Sequence, residues 1–176
     1  MSLTKEILLE KITAKYGDAV KQDADSLDYT AVIIDSTKAY DLIKYLRDEE
    51  GFNFLTDVCG AHYPDNDKAA QFGVIYHVHN WIDGIRIRVK ALLDGETPVI
   101  DTVSDLFLSA NWQERETYDF YGIEFKNHPD LRRILNMDEM ESFPLRKEFP
   151  LEDQGRTDKD DRYFGRLPQT NNLPNN

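Results

Sequence analysis

One cysteine, Cys59, stands among 176 residues. A lone thiol cannot close an internal disulfide, complete a zinc knuckle or hold an iron–sulfur cluster, so a disulfide-stapled secreted scaffold is excluded and a reducing compartment follows. Positive charge is also scarce: 21 Lys and Arg against 33 Asp and Glu leave a formal charge of −12. That balance argues against a nucleic-acid binder, which needs a basic face, and against a polybasic membrane anchor. No apolar run approaches the roughly 18 residues of a membrane span. Met1 to Glu6 carries neither an apolar signal region nor an Arg-rich transit pattern. Glycine-rich phosphate loops, the Gly-x-Ser-x-Gly elbow and His-Glu-x-x-His are all missing, which removes the signatures of nucleotide binding, of one hydrolase class and of one zinc-protease class. The expected place is the cytoplasm, or a membrane reached through something else.

What is present reads as one domain with a tail. Leu3, Ile7, Leu8, Ile12 and Tyr16 recur at helical spacing and Gly17 stops them. Tyr29 to Ile34 predicts a buried strand, and Asp35-Ser36-Thr37 offers the N-cap of a second helix that ends at Gly51. Strands are expected over Phe52 to Cys59, Phe72 to Trp81, Ile85 to Lys90 and, briefly, Pro98 to Ile100, with Asp83-Gly84 and Asp94-Gly95 as turns. A third helix should start near Asp101 to Ser104 and end at Gly122. Strands grouped between helices predict an α+β fold, a mixed or antiparallel sheet covered by helices on one side. Periodicity disappears from Asn136, and prolines recur with Phe143, Leu145, Phe149, Leu151, Tyr163, Phe164 and Leu167 spaced between them. The expected organisation is a compact α+β domain over 1–137 and an extended, partner-binding arm over 138–176, its last eight residues a plain tail.

The candidates for chemistry are few. His77 and His79, two apart on a strand, share a face and form the best metal candidate, with His62 or His128 as a third ligand. A metal needs three or four converging ligands, so these read as sheet histidines beside Trp81 and no metal site is expected. Cys59 has no neighbouring base and reads as a small buried residue. Arg86, Arg88 and Lys90 make a cationic stripe, either solvated or facing carboxylates of a neighbour or of the arm. The third helix holds more. Ala110, Glu114, Tyr118 and Tyr121 fall on one side, and Trp112, Arg115, Glu116, Asp119 and Phe120 on the other. Charge and large rings on both sides predict a helix between its own sheet and a partner. Glu114, Glu116 and Asp119 all fall within reach of Arg115. Glu114 and Glu116 diverge by about 200° around the helix, so they face no common reaction centre and no catalytic residue is expected.

Glu114-Arg115-Glu116-x-x-Asp119-Phe120-Tyr121, six residues, His128, three residues, Arg132-x-Ile134-Leu135 resembles the signature of the C subunit, the 30 kDa subunit, of the respiratory NADH-quinone oxidoreductase, complex I. Ser109-Ala110-Asn111-Trp112 before it agrees, and Phe143-Pro144-Leu145-Arg146-Lys147-Glu148-Phe149-Pro150-Leu151 resembles the family's second block. That block often has His where Phe143 stands and Asp-Tyr where Glu148-Phe149 stand. The resemblance covers about residues 99–151. It implies an accessory, scaffold subunit that supports electron transfer from NADH to quinone coupled to proton translocation, with no activity in isolation. It implies no cofactor in this chain: iron–sulfur clusters, flavin and quinone belong to partner subunits. The implied partners are the large D subunit above all, the small cluster-bearing B subunit and other hydrophilic-arm subunits, with no nucleic acid. The membrane is met only through the complex, on the cytoplasmic side of the inner membrane. Trp112, Glu114, Arg115, Glu116, Asp119, Phe120, Tyr121 and His128 make the expected partner surface, with Arg132, Arg133, Arg146 and Lys147 docking the arm on a partner or on the third helix. The alternatives are a homologous subunit of a membrane-bound energy-converting hydrogenase and a free-standing metalloenzyme using His77 and His79.

Overall fold

The computed structural model describes residues 3–24, 26 and 30–149. Tyr29 of the expected strand, and the stretch 150–176 with Leu151, Tyr163, Phe164 and Leu167, lie outside the described residues. Thr4 caps helix α1 (Lys5–Tyr16), its hydroxyl accepting from the Ile7 N–H at 3.4 Å. Strand β1 (Val20–Gln22) pairs antiparallel with β2 (Thr30–Asp35). Asp35 then caps α2 (Ser36–Asp48), accepting from the Thr37 N–H at 2.9 Å. Three long strands come next, β3 (Phe54–His62), β4 (Phe72–Asn80) and β5 (Ile85–Leu93), then β6 (Val99–Asp101), α3 (Ala110–Tyr121) and β7 (Glu124–Lys126).

The main sheet has the order β1-β2-β5-β4-β3, and β6 and β7 form a separate parallel pair. β2 runs parallel to β5, and the β5-β4-β3 ribbon is antiparallel, so the sheet is mixed and the fold is α+β, as the sequence predicts. Alternation sorts the side chains by face. Ile87, Val89, Ala91 and Leu93 on β5 face the helices and are buried, whereas Arg86, Arg88, Lys90 and Leu92 line the open face. Lys90 pairs there with Asp23 of the same chain at 2.9 Å. Leu8 and Ile12 of α1 and Leu42, Ile43 and Leu46 of α2 complete the core against the covered face. Each such side chain contributes roughly 1.5–3 kcal/mol relative to an exposed one.

β3 is a sheet edge, and an open edge invites pairing with another chain. Here α3 covers it: Gln113 Nε2 donates to the Thr56 carbonyl at 3.4 Å and the Thr117 hydroxyl to the Val58 carbonyl at 3.5 Å. The close approach depends on Gly60, since a Cβ there would sit 2.6 Å from the Tyr121 ring and 3.0 Å from Thr117.

One expectation about the elements is corrected, and two short strands were not foreseen. The third helix begins at Ala110, not near Asp101 to Ser104. The cap-type residues in that stretch misled, because Thr102 and Ser104 bond each other and the chain folds back to meet Glu114. β1 and β7, three residues each, are too short to leave a periodic trace.

Gly60→Ala should cost about 1–3 kcal/mol, the usual penalty for overpacking, because α3 must move off β3. Urea unfolding measures it, and a wild-type midpoint would show that the helix seat is soft.

Candidate functional site

Three ionisable groups of α3 point in three directions, and each is tied to a different part of the chain. Glu114 points inward and is fully buried. One of its oxygens accepts from the Val103 N–H at 2.7 Å and the other meets the Thr102 hydroxyl, which lies 2.8 Å from the Ser104 hydroxyl. Burial pushes its carboxyl up to about 7, against the lowering effect of the Thr102 and Val103 bonds. The His128 ring lies 3.9 Å away, also buried. It is held neutral: Nε2 faces the Asn111 carbonyl at 3.1 Å and so carries the proton, while Nδ1 accepts from the Asp130 N–H at 3.1 Å. Desolvation lowers its pKa, so it lends Glu114 no charge.

Arg115 is 7% exposed and turns toward the segment that leads into the arm. Its Nε donates to the Arg132 carbonyl at 3.2 Å, its Nη2 to the Arg133 carbonyl at 3.1 Å, and its guanidinium lies 5.2 Å from the centre of the Trp112 ring. The expected cluster of carboxylates around Arg115 is a correction: among the described residues its partners are backbone carbonyls. Steps of 100° along the helix send Glu114 to the β6 side and leave Glu116 exposed.

Asp119 is fully buried and collects five donors. Its Oδ2 accepts from the backbone N–H groups of Ile134 (3.1 Å), Leu135 (2.8 Å) and Asn136 (2.9 Å). Its Oδ1 accepts from Arg133 Nη1 (2.7 Å) and Asn136 Nδ2 (3.1 Å). Burial alone would raise its pKa, but these bonds overcome it and hold the carboxyl well below the usual range.

A helix ends with unpaired carbonyls. Those of α3 are met by the segment beyond it. Asp119 O accepts from Arg133 Nη1 at 2.9 Å, Phe120 O from the Leu145 N–H at 3.2 Å and Tyr121 O from Arg146 Nε at 2.7 Å. Two guanidinium groups at a helix C-terminus also suit its dipole. The Phe143 ring sits between Arg133 (4.9 Å) and Arg146 (4.6 Å), and Arg146 also lies over Phe72 at 5.0 Å. Gly122 caps the helix at φ 71°, and a Cβ there would strike Arg146 and Phe143, each at 2.6 Å. Further along, the Lys147 N–H donates to His62 Nδ1 at 3.0 Å, and the His62 ring stacks on Phe72.

The structure therefore brings together Glu114, Arg115, Asp119, Tyr121, His128, Arg133 and Arg146 as one internal set, with Phe120 and Lys147 joining through their backbone. Trp112 is 60% exposed. Glu116 and Arg132 are exposed too, Arg132 pairing locally with Asp130 at 2.9 Å. Gly60, Thr102 and Asn136 belong to the set and escaped the sequence reading; a lone glycine inside a strand, the known mark of close backbone approach, was the signal available for Gly60. On the open face, His77 Nε2 accepts from Arg88 Nε at 2.9 Å and the His79 ring packs on Trp81. Among the described residues no three His, Cys, Asp or Glu side chains converge as a metal site requires.

This fold recurs in solved structures. It matches a solved trypsin-resistant fragment (1-134) of Nqo5 with TM-score 0.62 and 33% identity, covering 73% of this chain and all of that one. It also matches, with TM-score 0.68 and 21% identity, a chain of the membrane-bound sulfane sulfur reductase, an archaeal respiratory membrane complex, over 83% of this chain and 85% of that one; at that identity only the fold is shared. Residues 32–155 match the family described as respiratory-chain NADH dehydrogenase, 30 Kd subunit, and the chain belongs to that family. It is 40% identical over 148 residues, 83% of this chain, to the C subunit of the NADH-quinone oxidoreductase of Methylobacterium sp. (strain 4-46). It is 38% identical over 157 residues, 89% of this chain and 94% of the relative, to that of Citrifermentans bemidjiense. The chain spans about two thirds of the length of the Methylobacterium and Methylorubrum relatives, 67% and 64% for two of them.

Asp119→Asn places an amide among donors and leaves Arg133 buried without its anion, so a loss of about 3–5 kcal/mol is expected. Limited trypsin digestion should then cut after Arg132 and Arg133 faster than in the wild type, and unchanged cleavage would refute the tie. Glu114 predicts a pH dependence of opposite sense. Its folded pKa, about 7, exceeds the ordinary 4.5, so the folded chain binds more protons between those values and its stability falls as pH rises through that window. Glu114→Gln should remove this slope in urea titrations from pH 5 to 8; a slope left intact in the variant would assign it elsewhere.

Proposed function

We propose that this chain is an accessory, scaffold subunit of an NADH-quinone oxidoreductase. It holds the quinone-reducing module of the hydrophilic arm together and so supports electron transfer from NADH to quinone coupled to proton translocation, without performing a chemical step. The large D subunit is the main partner in this reading and the B subunit the next.

The observation that carries it is where the exposed apolar side chains lie. Of ten large apolar residues exposed among the described ones, six lie on the approach to α3, on α3 or on the chain from residue 135 into the arm: Leu108, Trp112, Leu135, Met137, Leu145 and Phe149. Single exposed apolar residues are ordinary, but a run of them along one helix and ribbon marks an interface. The charged residues of the signature hold that ribbon in place from beneath, so the surface offered is pre-shaped.

Family membership and the name carried by the relatives support the NADH-quinone assignment over the hydrogenase one. In this reading the iron–sulfur clusters, flavin and quinone are held by partner subunits. The single thiol agrees: burial, with Asp57 beside it, pushes Cys59 up to about 11, far from a reactive thiolate. No helix among the described residues is long and apolar enough to cross a membrane; in this reading the partner subunits hold the chain peripherally, on the cytoplasmic side of the inner membrane.

Leu135→Asp combined with Met137→Asp places charge on two exposed positions. The melting temperature of the isolated full chain should stay near the wild-type value, while recovery of the D subunit with the affinity-tagged chain from gently solubilised membranes should fall at least about tenfold. Full recovery would count against the scaffold reading.

A further inference from the structure

The remaining exposed apolar side chains, apart from Ile7, gather where β4 turns into β5. Trp81 is 61% exposed, Ile82 87% and Phe54, paired in register with His79, 45%. They are not loose. The Trp81 ring meets Phe54 edge-on at 5.6 Å between centroids and lies 4.6 Å from the His79 ring. The turn beneath them is locked. Asn80 Oδ1 accepts from the Ile82 N–H (2.9 Å) and the Asp83 N–H (3.0 Å), and Asn80 Nδ2 donates to Asp83 Oδ2 and to the Glu50 carbonyl, both at 3.0 Å. Asp83 Oδ1 accepts from the Leu3 N–H at 3.3 Å, and Gly84 takes φ 68°. A rigid turn that displays a Trp and an Ile has already lost the freedom that binding would otherwise remove, and large anchors in desolvated pockets dominate interface energies.

We infer that the Trp81–Ile82 turn is a docking knob that seats in an apolar pocket, rimmed by basic side chains, on a neighbouring protein subunit of the same complex. The inference rests on the scaffold reading above. Two observations choose a protein over a bilayer. The first is continuity. Gln113 bonds the Thr56 carbonyl, so the first turns of α3, with Trp112 and the preceding Leu108, lie at the same end of β3 as Phe54. The knob thus extends the α3 surface rather than standing apart from it. The second is charge. Around this end Asp57, Asp83 and Glu116 are at least partly exposed against Arg86 and Arg88, while Lys5 and Glu6 offset each other, a local balance of one negative charge on a chain that carries −12. An anionic leaflet attracts basic segments and repels such a surface, whereas a basic rim complements it.

The test uses the assembled complex. A benzophenone photo-crosslinking side chain at position 82 should join one polypeptide, through a peptide of apolar residues beside Lys or Arg, well above the yield from exposed position 21. Trp81→Ala with Ile82→Ser should leave the isolated full chain within about 2 °C of the wild-type melting temperature, as exposed sites do, and lower its recovery with the complex at least about fivefold. A crosslink yield no higher than at position 21, label found only on lipid, binding of the wild-type but not the double variant to phosphatidylethanolamine–phosphatidylglycerol vesicles, or unchanged recovery would each overturn it. The two readings fail differently. If only the knob is wrong, the Leu135 and Met137 variant still loses the D subunit; if the scaffold reading is wrong, both variants assemble normally.

Discussion

The Asp119 carboxylate accepts from three consecutive backbone N–H groups, an arginine and an asparagine amide while excluded from water. Moving a carboxylate into such a place without partners costs several kcal/mol. Five donors, one of them cationic, reverse the balance and keep it ionised. Its donors come from residues 133–136 and the carboxylate from the last turn of α3, so the bond set closes the chain on itself around Gly122 and β7. Every later contact of the arm starts from that closure. The same Arg133 Nη1 donates to both the carboxylate and the carbonyl of Asp119, and the Phe143 ring lies 4.9 Å from that guanidinium.

The same helix carries a second buried carboxylate with the opposite behaviour. Glu114 has two neutral donors and a neutral histidine beside it, so burial prevails and its pKa rises. Five residues apart, one side chain is a fixed anion and the other is poised near neutrality. Both are closed to water, but Asp119 has five donors, one of them cationic, where Glu114 has two neutral ones. Each ties down a different neighbour: Glu114 the turn that leads into the helix, Asp119 the ribbon that leaves it. Arg115 adds a bridge to the ribbon through carbonyls rather than acids.

Local patterns made much of the fold legible. Alternation on β5, the Asp-Gly turns and the caps at Asp35 and Gly122 depend on a few adjacent residues, and these expectations agree with the structure. The start of α3 was not legible in this way, because Thr102 and Ser104 look like caps, whereas the Thr102 hydroxyl meets a carboxylate 12 residues ahead and Ser104 bonds Thr102. At the site, helical spacing identified which residues carry charge on two sides of α3 but not what would receive them. The partners of Arg115 and Asp119 lie 14 to 18 residues ahead in the segment after the helix, and those of Glu114 lie 11 and 12 residues behind it; no count along one helix can reveal them. Gly60 is similar: its meaning lies in the Tyr121 ring, distant in sequence and in contact only after folding.

The proline-broken arm has too little apolar surface of its own to offset the entropy of ordering, and over residues 133–149 polar pairing supplies what burial does not. The helix end offers three carbonyls and a buried anion, all needing donors, and the segment from Arg133 into the arm brings two guanidinium groups, backbone N–H groups and one ring beside both cations. Polar groups that would be unpaired on either side alone become paired together, and leaving buried groups unpaired is the costly alternative. The apolar side chains of the ribbon are then not needed inside. Leu135, Met137, Leu145 and Phe149 stay outside, held on a shaped support, which is the condition under which they contribute to an assembly rather than to the stability of this chain.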